Sequence, residues 1–186
     1  MLFSMKIPNL LTLLRILLIP VFVVVYYLPG DWSPWLAASI FALAAITDWL
    51  DGYLARRLNQ QSPFGAFLDP VADKLMVAVA LVVLVETYST PMITIPAVII
   101  IGREIVISAL REWMAEIGER TRVSVSTIGK VKTTLQMVSI LVMIAVVPFS
   151  VMSWVGILTL YGAALLTLWS MYLYLHAAWP LLIDDI

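Results

Sequence analysis

The sequence predicts an all-α, polytopic membrane protein: a single domain over residues 1–186, built as a bundle of six transmembrane helices. Two properties lead there. Of 186 residues, 62% are hydrophobic and only 12% charged, and the mean hydropathy is +1.01. A soluble domain carries roughly twice that share of charge, and a globule this small cannot hide so much apolar surface. The apolar residues also fall in runs near the ~20 that a helix needs to cross about 30 Å of hydrocarbon. The same composition excludes a disordered chain. A formal net charge of −1 provides no basic field for nucleic acid. With no Cys and a single His, disulfides, thiolate sites and His-rich zinc sites are excluded. Any chemistry must rest on Asp, Glu, Arg, Lys, Ser and Thr.

The first span runs from about Leu10 to Leu28, and Pro29-Gly30 ends it. It is too long for a signal peptide, and no small-residue cleavage site follows. Met1 to Lys6, ahead of it, suits a short interfacial helix. The second span is about Trp35 to Ala55, the third Leu68 to Val85, the fourth Met92 to Leu110, the fifth Val131 to Val147 and the sixth Met152 to Leu175. Together they take up most of the chain, so the spans must pack as one bundle.

Flanking basic residues set the orientation. The loops after spans one, three and five hold no Lys or Arg. Lys6 precedes span one, Arg56 and Arg57 follow span two, and Arg111, Arg120, Arg122 and Lys130 follow span four. All lie on one side, which is predicted to be the cytoplasm, with both termini inside. Tyr26, Tyr27, Trp32 and Trp35 sit at the opposite boundary, as an aromatic belt does.

Four acidic residues do not suit a passive bundle. Asp48 and Asp51 lie at the inner end of span two, and Asp69 and Asp73 at the inner start of span three. A carboxylate at the centre of a membrane helix costs roughly 2.5–3.5 kcal/mol on insertion scales, and less near the interface. Asp48, Asp51, Gly52 and Ala55 share one helical face, with Arg56 beside it; Gly65, Asp69 and Asp73 repeat every four. A polar turn between the two helices predicts that they run antiparallel and adjacent, with the four carboxylates facing each other. Arg56, Arg57 and Lys74 are too few to pair them all, so a hard divalent cation such as Mg²⁺ or Mn²⁺ is the simplest counter-charge. Gly52 and Gly65 leave the backbone open to a bulky group. The alternative is that these residues cap helices or form interfacial ion pairs. A cation transporter is the competing function, since intramembrane carboxylates also mark ion paths. Against it, the carboxylates sit at one end of the bundle and the chain has no inverted repeat.

A second cluster is basic. Arg103 and Arg111 lie in the inner half of span four, and Lys130 and Lys132 begin span five. Gly129, Lys132, Thr133 and Gln136 share a face. Arg as a fork and Lys as a point charge can form a phosphate pocket between neighbouring helices. The alternatives are a topology-setting flank, or pairing of Arg103 with Glu104 or Glu112.

Asp48-Trp-Leu-Asp51-Gly52-Tyr-Leu-Ala55-Arg56, eight residues, then Gly65-Ala-Phe-Leu-Asp69-Pro-Val-Ala-Asp73 resembles the signature of the CDP-alcohol phosphotransferase family, with all its defining positions filled. Ile7-Pro-Asn-Leu-Leu-Thr-Leu-Leu-Arg15, Gly102 to Trp113 and Gly129 to Thr134 extend the resemblance, towards the bacterial branch whose acceptor is glycerol 3-phosphate. The resemblance implies an enzyme that moves the phosphatidyl group of CDP-diacylglycerol onto glycerol 3-phosphate and releases CMP. It implies two divalent metal ions, Mg²⁺ or Mn²⁺, among Asp48, Asp51, Asp69 and Asp73, with Asp73 as general base. Arg56 would offset pyrophosphate charge, Asn9 and Thr12 would hold the CDP moiety, and Gly52, Ala55 and Gly65 would leave room for it. Arg103, Arg111, Lys132 and Lys130 would receive the acceptor phosphate. The signature reads the donor, so a sister enzyme using serine, inositol phosphate or phosphatidylglycerol stays open. A homodimer in the bacterial cytoplasmic membrane, with its site facing the cytoplasm, is also implied.

Overall fold

The computed structural model describes residues 7–57, 63–118 and 127–184, and a few side chains within them, including those of 51–56 and Lys130, lie outside that description. The proposed interfacial helix at Met1 to Lys6, and Arg120 and Arg122, also lie outside it. The described residues form six helices and no strand: α1 (Ile7–Tyr26), α2 (Ser33–Arg57), α3 (Pro63–Tyr88), α4 (Pro91–Glu116), α5 (Thr127–Ala145) and α6 (Val151–Asp184). The protein is an all-α polytopic membrane protein. On length and apolar content alone, Asn9–Tyr26, Pro91–Glu116 and Val151–Pro180 suffice to cross a membrane. Among the described residues, α2 and α5 contribute shorter apolar stretches, Ser33–Asp48 and Val131–Ala145.

Local chemistry sets the helix ends. Thr90 caps α4, accepting from the Met92 amide at 3.3 Å, with Pro91 pre-set for the first turn. At the end of α1, Ser33 Oγ donates to the carbonyls of Val25 and Tyr26 at 2.7 and 2.9 Å, satisfying two groups the helix leaves open. Gly30 turns the chain at φ +130°, and a Cβ there would stand 2.6 Å from Trp32 Nε1. Only glycine fits both demands.

α1 packs along α2 and also against α3, and α5 pairs along α6. α4 packs on α6 and α3, and α2 reaches α5. Phe22, Phe41, Met76, Leu81, Leu84, Ile93, Ile100, Ile140, Met143 and Ile144 fill the core. Leu17, Val24, Val98, Ile105, Leu158 and Leu165 point outward, more than 60% exposed. An apolar outer face of that extent suits lipid rather than water. Aromatic side chains tie the end opposite the carboxylates: Tyr26 bonds Thr87, Tyr27 bonds Glu86, and Tyr88 Oη meets Ser153 Oγ at 2.7 Å.

The predicted adjacency of α2 and α3 is corrected in one respect. They touch over a shorter stretch than either shares with α1. α1 supplies polar partners to the carboxylates of both.

Candidate active site

Two residues of α1 organise the acidic end. Thr12 and Arg15, three apart on one helical face, are both buried. Thr12 Oγ1 donates to Asp69 Oδ1 at 2.5 Å, and Arg15 Nη1 donates to Asp48 Oδ1 at 2.6 Å. Asp73 lies one turn beyond Asp69, within electrostatic reach of Asp48, Arg15, Glu104 and Lys74. Gly65, at the start of α3, is buried. Asp51, Gly52, Ala55 and Arg56 occupy the C-terminal end of α2, and their side chains lie outside the described ones.

Among the described residues, no three acidic or imidazole side chains stand close enough to hold a metal ion. The donor chemistry still fits a hard divalent cation. It is all carboxylate, with Thr12 and Arg15 orienting two of the oxygens. The single histidine, His176, is exposed and lies against the Tyr172 ring, consistent with an interfacial residue. Thr47 Oγ1 donates to the Ala44 carbonyl of its own helix at 2.8 Å.

Beside Asp73, four helices enclose a cavity of about 210 Å³. Its lining includes Asp73 and Lys74 from α3; Arg103, Glu104 and Arg111 from α4; Lys132 and Gln136 from α5; and Tyr174 from α6. Glu104 Oε1 accepts from Arg103 Nη1 at 2.5 Å and from Lys132 Nζ at 3.2 Å. The Arg103 and Arg111 guanidinium carbons lie 5.7 and 5.3 Å from the Tyr174 ring centre, a cation–π distance. Arg111 Nη2 also donates to Tyr174 Oη at 3.2 Å. Lys74 bonds Ser108, whose hydroxyl donates to the Glu104 carbonyl at 2.5 Å. Arg103 Nε is buried with no partner among the described residues. A buried donor left unpaired in a polar cavity is a place for a ligand's oxygen.

The structure thus brings Arg103, Arg111 and Lys132 together with Asp73, and it realises the pairing of Arg103 with Glu104 within the same cluster. Three residues carry roles the sequence reading did not assign. Arg15 had one usable signal: it is the only charge inside an otherwise apolar first span. Glu104 enters the sequence reading only as a pairing option for Arg103, and Tyr174, one apolar-run aromatic among several, carries no signal of its own.

The family model for CDP-alcohol phosphatidyltransferases matches residues 5–178. The chain belongs to the CDP-alcohol phosphatidyltransferase family. It is 58% identical over 180 residues to proteins of Shigella flexneri serotype 5b, Shigella boydii serotype 4 and Escherichia coli K12, covering 97% of this chain and 98% of each of theirs. Each of those proteins is named CDP-diacylglycerol–glycerol-3-phosphate 3-phosphatidyltransferase. The carboxylates of this family member therefore sit in a chain whose relatives are transferases by name, which sets the transporter reading aside.

Proposed function

We propose that the chain transfers the phosphatidyl group of CDP-diacylglycerol to glycerol 3-phosphate, giving phosphatidylglycerol phosphate and CMP. The observation that carries this reading is the shared cavity of Asp73, Arg103, Arg111 and Lys132. An acceptor with a hydroxyl to be deprotonated and a phosphate to be gripped needs a carboxylate and cations in one enclosure. The relatives carry the same reaction in their names.

Asp48, Asp51, Asp69 and Asp73 would hold two divalent ions, Mg²⁺ or Mn²⁺. When bound, these supply charge neutralisation at the pyrophosphate and favour the ionised acceptor oxygen. Arg15 and Thr12 fix the carboxylate oxygens of Asp48 and Asp69 before substrate arrives. Asn9 would hold the CDP moiety, Gly52, Ala55 and Gly65 would leave room for it, and Arg56 would offset charge on its phosphates. Arg103, Arg111 and Lys132 hold the acceptor phosphate, with Lys130 nearby in α5. Asp73 takes the proton of the acceptor hydroxyl. The freed oxygen forms a bond to the lipid-side phosphorus, and the bond from that phosphorus to CMP breaks, CMP leaving with the electron pair. Such a reaction asks mainly for positioning and pre-arranged charge. The acidic end faces the cytoplasm of a bacterial inner membrane, where the acceptor is soluble, and the enzyme works as a homodimer.

The test is CMP release by purified protein with CDP-diacylglycerol and Mg²⁺ or Mn²⁺, offering glycerol 3-phosphate, serine, inositol phosphate and phosphatidylglycerol in turn. Release that depends on glycerol 3-phosphate and stops with EDTA is expected. Release with another acceptor would keep the family chemistry but replace the product. In the same assay Lys132→Ala raises the KM for glycerol 3-phosphate far more than that for the CDP-lipid.

A further inference from the structure

Glu104 is anomalous in a cavity meant for an anion. Neighbouring residues on a helix do not ordinarily face each other, yet Arg103 and Glu104 both turn into the cavity and bond at 2.5 Å. The same oxygen, Oε1, also accepts from Lys132 on α5 at 3.2 Å. One carboxylate oxygen thus stands where a phosphate oxygen would stand, between the two most buried cations of the site, Arg103 and Lys132, 8% and 3% exposed. Glu104 does not complete Arg103: among the described residues its Nε has no partner, and Nη2 makes a 3.4 Å contact with Ser170. A phosphate, with three terminal oxygens, can reach donors that a single carboxylate leaves open.

The charge count points the same way. With Asp73 assigned to the metal ions, Lys74, Arg103, Arg111 and Lys132 in their usual ionised forms present four positive charges to the cavity, and Glu104 takes that to three. A phosphate monoester carries about −1.5 to −2 at neutral pH, so Glu104 brings the cavity's charge closer to that of one such group. Without Glu104 it would be over-positive and hold any anion more tightly.

We infer that Glu104 is an internal stand-in for the acceptor's phosphate, holding Arg103 and Lys132 in the empty site and ceding them when the acceptor binds. It thereby keeps the affinity for phosphate monoesters moderate, including that for the product, which retains the same phosphate. This rests on the proposal that the cavity receives the acceptor. Glu104 is a positioning and affinity-setting residue, since it acts through Arg103 and Lys132.

The sign of one substitution decides it. Glu104→Gln keeps the shape and removes the competing charge. The full-length enzyme with CDP-diacylglycerol and Mg²⁺ is assayed for CMP release, with inorganic phosphate as inhibitor. The variant is expected to lower both the KM for glycerol 3-phosphate and the inhibition constant of inorganic phosphate by about tenfold, the scale of one charged hydrogen bond, with the KM for the CDP-lipid unchanged. A residue that only shaped the pocket would do the reverse, because disordered cations bind phosphate less well. A rise, or no change, in both constants overturns the inference. If Glu104→Gln does not fold, Glu104→Asp withdraws the carboxylate by one methylene, and a smaller shift in the same direction is required. Absence of glycerol 3-phosphate-dependent release by the unaltered enzyme would instead sink the acceptor reading itself.

Discussion

A carboxylate near the edge of a membrane is held by whatever donors reach it, and for Asp48 and Asp69 those come from α1. Removing one partner of a fully buried ion pair costs about 3–5 kcal/mol. Arg15 is buried, but the Asp48 side chain is 43% exposed, so water screens the pair and that figure is an upper bound here. The contribution of Arg15 and Thr12 is therefore orientation more than stability. Residues that orient metal ligands typically matter by about 10–100-fold in metal affinity or activity. Thr12→Val removes the hydroxyl bonded to Asp69 while keeping its shape. It should raise the Mg²⁺ concentration for half-maximal CMP release by about that factor, and an unchanged metal requirement would remove Thr12 from the metal site. Asp73→Asn tests the base at constant size. Turnover should fall to background while the thermal midpoint in detergent stays close to that of the parent, and substantial remaining activity would assign the proton to another group.

At the scale of helices, the sequence was most readable where lipid dictates it. Apolar runs near membrane length located all six elements, because a backbone in hydrocarbon must satisfy its own hydrogen bonds. The ends were less readable. α4 continues to Glu116 and α6 to Asp184, past the apolar limits near Leu110 and Leu175, because a helix has no reason to stop where the hydrocarbon does. Which helix fills the space between two others was not readable either. The periodicity of α2 and α3 gave the faces bearing their carboxylates, but the intervention of α1 depends on packing remote in sequence. Spacing did find the basic face of α5, because Lys132 and Gln136 repeat at helical period on a helix packed against its neighbours. Packing of α5 on α6 also yields a prediction. A Cβ on Gly156 would stand 2.6 Å from Met143 Cγ, part-way along a buried side chain, and the Gly156 carbonyl accepts from Ser139 at 2.6 Å. Gly156→Ala therefore overpacks the pair at a cost of about 1–3 kcal/mol. The thermal midpoint should drop by several degrees, with the KM for glycerol 3-phosphate unaffected; an unshifted midpoint would mean that Met143 rearranges freely.

For the whole molecule, the two ends differ in kind. One gathers Asp48, Asp69, Asp73 and the Arg103, Arg111 and Lys132 cluster, whereas the other is fastened by Tyr26, Tyr27 and Tyr88. Basic residues resist translocation, so the first end should face the cytoplasm. The function requires the same placement, since a charged acceptor does not cross hydrocarbon unaided and must meet the site from the compartment that holds it. Orientation and acceptor access are therefore one claim, and an unusual feature of the composition makes it easy to test. The chain has no cysteine, so any introduced thiol reports alone. Asp31→Cys lies between α1 and α2 at the aromatic end, and Glu116→Cys at the C-terminal end of α4; both positions are exposed. In intact spheroplasts, a membrane-impermeant maleimide should label position 31 and leave position 116 unlabelled until the membrane is permeabilised. The reverse pattern would put the phosphate cavity outside the cell, away from cytoplasmic glycerol 3-phosphate, and the proposed acceptor would fall together with the orientation. Labelling of both positions in intact cells would mean a mixed insertion that the one-sided distribution of Lys and Arg does not allow.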